Sequence, residues 1–280
     1  MVNTSLYKTI LYHYDFGHGG IADFIKFFIH LTKVANRYNC QIKIHISHPI
    51  KKYITIRSNY RIEDDNLYDY HQLNDSDSGK HIKDIISKYD KLLIIGPNLY
   101  GLDIDFELAD NINFFTINDY FNNLTDYFDF NKEIYDDLNL IINNIKYICI
   151  HARLGDKYLE IKPDSSYCTD DDRSDKKYNN YNEIINDIIE KNSDKKIYLL
   201  SDNNKFKQNL KSEYDVLNIF TKDIINISCN YSISNYDESL KFTIIEFLLM
   251  CKADTIYALT YSGFSQIAHL ISENKIIKYW

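Results

Sequence analysis

The chain has 280 residues with a formal net charge of −8; hydrophobic residues make up 45% and charged residues 26%. That composition suits one large or two modest globular domains, and the acidic balance argues against a basic face that grips nucleic acid. No apolar run approaches the roughly 20 residues needed to span a bilayer, and the first residues carry no secretory signal pattern.

Residues 8–14 read as a first strand, and Asp15-Phe16-Gly17-His18-Gly19-Gly20 as a turn. Residues 21–38 carry apolar side chains every three or four positions, the helical period, and residues 41–47 alternate as a strand does. Residues 57–80 are polar and read as loop, 82–87 as a short helix, and 92–96 as a short strand closed by Pro97. Residues 99–131 give no clear pattern. A helix over 133–144 leads into the strand 146–150.

That strand ends in His151-Ala152-Arg153-Leu154-Gly155-Asp156, which puts an imidazole, a guanidinium and a carboxylate in one strand-end loop. Residues 157–180 are strongly charged and read as a solvated, mobile loop, with a lid or acceptor loop as the functional alternative. A helix around 184–189 follows, then a strand 196–200 ending in Ser201-Asp202 and a helix 203–212. A strand 216–220, a mostly apolar helix 237–251, a strand 255–259 and a helix 262–272 complete the chain. Strands separated by helices predict mostly parallel sheets in two βα-rich halves.

The five cysteines show no CxxC or metal-ligand spacing, and their odd number favours a reducing compartment. Asp103-Ile104-Asp105 and Asp170-Asp171-Asp172 imitate an Asp-x-Asp metal motif, a chance match in so acidic a chain. His45 and His48 have no evident ligand partners and read as structural, so no metal is expected.

Three loops follow strand ends in the second half: 151–156, 201–203 and 260–265. Loops after neighbouring parallel strands converge, and ligands settle there. The last loop opens a helix whose free N–H groups favour an anion, with Ser262 and Ser265 as donors and Gly263 allowing close approach. Each piece also has a plainer use. Ser262 can cap its helix, Asp202 can cap the helix after it, and Arg153 can pair with Asp156 alone.

Taken together, the three loops resemble the GDP-fucose fucosyltransferase superfamily. Its first motif, His-x-Arg-Arg-Gly-Asp, is similar to His151 to Asp156. Its Ser-Asp-Asp is similar to Ser201-Asp202-Asn203. Its Met-x-x-Cys helix followed by Ser-x-Phe-Ser is similar to Phe247 to Lys252 and Ser262-Gly263-Phe264-Ser265. The resemblance runs from about residue 146 to 272, and Gly17-His18-Gly19-Gly20 matches the N-terminal Gly loop more weakly. It implies a GT-B fold of two Rossmann-like domains facing across a cleft, 1–135 on the acceptor side and 136–280 binding nucleotide sugar. It implies inverting transfer of fucose from GDP-fucose to a glycan or other hydroxyl acceptor, with no metal and no further cofactor. By position, Arg153 would stabilise the leaving β-phosphate. His151 and Asp202 would contact the nucleoside, Asp202 at guanine, and Ser262, Gly263, Phe264 and Ser265 would line the diphosphate and base pocket. Asp156, Gly19 and Gly20 join the donor site, and His18 or Asp23 would serve as acceptor base, with helix capping or solvent exposure as the plainer reading of both. Leu154 and Asn203 depart from the motifs. A heptosyltransferase-like enzyme and a binder without turnover are the alternatives, and a soluble bacterial-type or viral protein of the cytoplasm is the expected setting.

Overall fold

The computed structural model describes residues 8–62, 70–72, 82–88, 91–95, 124–164, 171–174, 181–272 and 274–280. The chain divides into two compact units, Met1–Phe130 and Asn131–Trp280. Gly96, Pro97, the Asp103 to Asp105 motif, Asp170 and most of the uncharacterised stretch 99–131 lie outside the described residues.

In the first unit, β1 (Thr9–Tyr14), β2 (Gln41–Ile46), β4 (His71–Gln72) and β5 (Lys91–Ile95) form a parallel sheet in the order β2-β1-β5-β4. Helix α1 (Ile21–Arg37) is the β1–β2 crossover, and α2 (Ile82–Lys88) precedes β5. The core is aromatic: Phe24 and Phe28 of α1 are fully buried and pack on Tyr12, whose ring stacks on Phe24 at 5.5 Å. The short strands β3 (Ile54–Ile56) and β6 (Phe128–Phe130), with the one-turn helix α3 (Leu124–Tyr127) before β6, were not expected from sequence. They pair antiparallel, Ile54 opposite Phe130, and Phe128 closes over Phe24 and Phe28. Three residues are too few to show a period, so only the partner strand defines them.

The second unit holds a five-stranded parallel sheet in the order β11-β10-β7-β8-β9. Its strands are β7 (Tyr147–Ala152), β8 (Lys196–Ser201), β9 (Leu217–Asn218), β10 (Thr255–Ala258) and β11 (Lys275–Lys278). Helix α4 (Lys132–Ile142) precedes β7, and α5 (Tyr181–Lys191), α6 (Asn204–Glu213), α7 (Tyr236–Lys252) and α8 (Gly263–Ser272) separate the strands. The central strand β7 is buried along its whole length, as a strand covered on both faces must be. Ile148 and Ile150 face a cluster with Ile185, Ile188, Leu199 and Leu210, while Tyr147 donates from the other face to the Leu249 carbonyl of α7 at 2.8 Å. β9 is shorter than the strand expected over 216–220, and β11 was not expected at all.

Among the described residues no helix is long and apolar enough to cross a membrane. Cys229 is disulfide-bonded, whereas Cys40, Cys149 and Cys251 are free thiols. An odd cysteine count therefore does not exclude a disulfide, and the compartment inferred from it loses its basis.

Candidate functional site

Because β7 lies between β8 and β10, the loops leaving all three strands are neighbours. Hydrogen bonds fasten them together. Leu259 N–H donates to the His151 carbonyl at 2.8 Å, and Arg153 N–H donates to Thr260 Oγ1 at 2.8 Å. On the other side, Leu154 N–H and Gly155 N–H donate to the two carboxylate oxygens of Asp202, at 2.7 and 2.9 Å. The three motif loops thus meet at the carboxyl end of the parallel strands.

Asp202 differs from both sequence readings. Asn203 caps α6, accepting from Phe206 N–H at 2.8 Å, so Asp202 is not the cap. Both Asp202 oxygens are taken by loop N–H groups, and Arg153 stands 3.1 Å away, so the carboxylate holds the Arg153 loop instead of facing outward to a base edge. Arg153 also pairs with Asp156, whose second oxygen accepts from Asn226 Nδ2 at 3.1 Å. The Arg153 side chain is 19% exposed, and its guanidinium is oriented by two carboxylates, not by Asp156 alone. Such bracing fixes the planar fork of an arginine.

Residues 171–174, in the stretch read as a solvated loop, are seated on this motif. Asp171 Oδ1 accepts from Asp156 N–H at 2.5 Å, and Arg173 N–H donates to the Leu154 carbonyl at 2.7 Å. Gly155 makes the seat possible. Its φ is +112°, and a Cβ there would stand 2.3 Å from the Asp171 carbonyl oxygen.

At the start of α8, Ser262 Oγ accepts from Phe264 N–H at 3.3 Å, which is the capping use. Ser265 is fully buried and donates to the Ser262 carbonyl at 3.2 Å. A Cβ on Gly263 would meet open space, so this helix end is uncrowded. The Phe264 ring lies 5.8 Å from the His151 ring and 5.3 Å from Phe247, an aromatic wall beside the loops.

His151 is buried, and its Nδ1 has no hydrogen-bond partner among the described residues. Burial, then the charges of Arg153 and Arg173, lower its pKa from 6.5 to about 3. The folded state thus excludes a proton that the unfolded chain accepts. Stability carried by neutral His151 is complete above pH 6.5 and is lost as pH falls toward 3. Chemical denaturation of His151→Gln against wild type is expected to show a flatter acid limb, by up to about 1.4 kcal/mol per pH unit. Parallel pH profiles would refute it.

In the first unit the Gly loop is tied to itself. His18 Nδ1 accepts from Asp15 N–H at 2.9 Å, and the ring is also hydrogen-bonded to the His13 backbone. Burial and the neighbouring His13 lower its pKa to about 4. With the Nδ1 lone pair engaged, neutral His18 carries its proton on Nε2, so that nitrogen is a donor and not a base. The ring is a lock for the turn, neither a helix cap nor a solvent-exposed group. Asp23 accepts from Gly20 N–H at 3.0 Å and pairs with Lys26 at 3.2 Å, so it caps α1. Gly19 has φ +81°, and a Cβ there would strike the Asp23 carboxylate at 2.6 Å; Gly20 has no such constraint. His45 and His48 are both buried, His48 accepting from Ile50 N–H at 3.1 Å, as structural histidines do.

The sequence reading missed a polar cavity of about 610 Å³ beyond β8 and β9, lined by Asn204, Lys222, Asp223, Asn235, Ser239 and Phe242 among others. Lys222 pairs with Glu246 at 3.2 Å, and burial, partly offset by that carboxylate, lowers its pKa to about 8. Glu246 Oε1, Ser239 Oγ and Asn204 Oδ1 are buried with no hydrogen-bond partner among the described residues. Asn204 and Ser239 line the cavity and Glu246 lies outside its lining, behind Lys222; unsatisfied buried groups are costly unless a ligand or water completes them. A signal was present: Glu246 is the one acidic residue within the apolar run 242–251 of α7.

No protein-family profile matches the sequence, and no curated protein matches it. Solved structures do match in fold. Arabidopsis thaliana FUT1 bound to GDP aligns over 97% of this chain and 70% of its own, with TM-score 0.57 and 12% identity. NodZ α-1,6-fucosyltransferase, from Bradyrhizobium, soaked with GDP-fucose aligns over 95% and 92%, with TM-score 0.55 and 11% identity. POFUT1 in complex with GDP-fucose aligns over 99% and 98%, with TM-score 0.53 and 10% identity. The chain shares the fold of these three solved proteins. The resemblance first drawn from three short motifs thus holds at the level of fold across nearly the whole chain.

Proposed function

We propose that the chain is an inverting glycosyltransferase that moves fucose from GDP-fucose to a hydroxyl of a glycan or other acceptor, without a metal. One observation carries the reading. In a chain with this fold, a braced guanidinium and an uncrowded helix N-terminus belong to adjoining strand-end loops of the second unit. Breaking a glycosyl–phosphate bond leaves negative charge on the β-phosphate, and fixed donors aimed there lower the barrier. Arg153 would hold that phosphate, the start of α8 with Ser262 and Gly263 would take the diphosphate, and Phe264 would flank the nucleoside beside His151. Asp156 and Asp202 would act by positioning Arg153.

Thermal shift with GDP, UDP, ADP, GDP-fucose and GDP-mannose tests the function. A ligand that binds only the folded state stabilises it by about 2.7 kcal/mol at a hundredfold excess over Kd. Stabilisation by GDP and GDP-fucose supports the proposal, and preference for another nucleotide removes fucose from it. The first unit is proposed to take the acceptor. A second reading, a nucleotide-sugar or glycan binder without turnover, is favoured by the commitment of His18 and Asp23 to their own turn. Release of GDP from GDP-fucose in the presence of glycan acceptors would exclude it.

A further inference from the structure

The charges around Arg153 do not favour an anion on their own. One guanidinium faces two carboxylates, Asp156 and Asp202, and a diphosphate arriving there needs additional positive charge. The segment Asp171–Ser174 adds no net positive charge, since Asp171 pairs with Arg173 and Asp172 with Lys157, but it brings a second forked donor, Arg173, to the loop. It is held by Asp156 N–H and Lys157 N–H on Asp171, at 2.5 and 3.2 Å, by Arg173 N–H on Leu154, and by Tyr158 Oη with Ser174 Oγ at 2.8 Å. The Asp171 side chain is used up in this seat. One oxygen takes the Asp156 amide, and the other takes Arg173 Nε at 2.5 Å. Its carboxylate therefore orients Arg173 as Asp202 orients Arg153. The two terminal nitrogens of Arg173 make no hydrogen bond or ion pair among the described residues, and the side chain is 40% exposed. Both guanidinium charges also oppose protonation of the buried His151 ring.

We infer that Arg173 is a second phosphate-binding cation of this site, brought to the Arg153 loop by a return segment that Gly155 alone admits. The inference rests on reading the loop as a diphosphate site. Position 154, where the chain has leucine, then needs no cation of its own, because the segment hydrogen-bonded to Leu154 brings one. Two forked donors on separate backbones can grip different phosphate oxygens, which one arginine cannot.

The test titrates the intact protein with pyrophosphate, GDP and guanosine, comparing wild type with Arg173→Ala, Arg173→Lys and Gly155→Ala. Arg173→Ala is expected to weaken GDP and pyrophosphate at least tenfold and to leave guanosine within twofold. Arg173→Lys should restore part of the loss, and Gly155→Ala should reproduce it by unseating the segment. Undiminished GDP and pyrophosphate binding in Arg173→Ala overturns the inference, as does an equal loss of GDP and guanosine, the mark of a structural role. Wild-type protein that binds pyrophosphate through Arg173 but prefers no guanine nucleotide retains the inference and defeats the GDP-fucose reading. Wild-type protein that binds neither pyrophosphate nor GDP defeats both.

Discussion

Arg153→Ala is expected to reduce transfer by a hundredfold to a thousandfold, the loss typical when one donor to a developing oxyanion is removed, about 3 kcal/mol. The same change strips Asp156 and Asp202 of their shared cation. Breaking a buried pair costs about 3–5 kcal/mol, and partial exposure of Arg153 places the expected loss of stability near the lower end. Activity and melting temperature therefore fall together, and a second substitution separates the causes. Arg153→Lys keeps a positive charge between the two carboxylates but lacks the fork, so it should recover much of the stability and little of the turnover. Wild-type rates in Arg153→Ala would end the proposed mechanism.

Asp202→Asn carries the second large effect. The substitution preserves shape but replaces one acceptor oxygen with an NH2 group, which then faces a loop N–H instead of accepting from it. A lost buried hydrogen bond to a charged group, with a donor left unsatisfied, costs about 2–3 kcal/mol. The ligand-free protein should melt several degrees lower, and affinity for GDP should drop because the Arg153 loop is no longer held. A residue that only read guanine would give the opposite pattern, an unchanged ligand-free melting temperature with lost nucleotide selectivity. Calorimetry without ligand, followed by GDP titration, decides between the two.

The parallel βα order was legible because long apolar periods and buried strands leave a strong local signal, as in α1 and β7. The pair Ile54–Ile56 and Phe128–Phe130 was not, since short strands are specified by a partner far along the chain. The edge strand Lys275–Lys278 has only two apolar residues between lysines, too little alternation to announce itself. At the site, the meeting of three loops followed from strand order, but the use of each side chain did not. Asp202 and Asn203 are adjacent and chemically alike, and sequence could not say that the second caps α6 while the first reaches across to another loop. His18 looked like a base because histidine titrates near neutrality. Its hydrogen bond from Asp15 N–H, a local contact within the turn, and its partial burial engage the ring in holding the turn instead. Glu246 was hidden by the opposite bias, a single charge overlooked inside an apolar helix.

Five consecutive amides, from Arg153 to Lys157, all donate inward, to Thr260, to Asp202 twice and to Asp171 twice. A glycine-rich phosphate loop works the other way, turning its amides outward so that main chain grips the anion whatever the side chains are. Here the peptide groups are already spent on holding the loop. In the proposed diphosphate site, discrimination among anions therefore falls to exchangeable side chains and one helix end, and single substitutions are expected to alter ligand preference without redrawing the path of the chain.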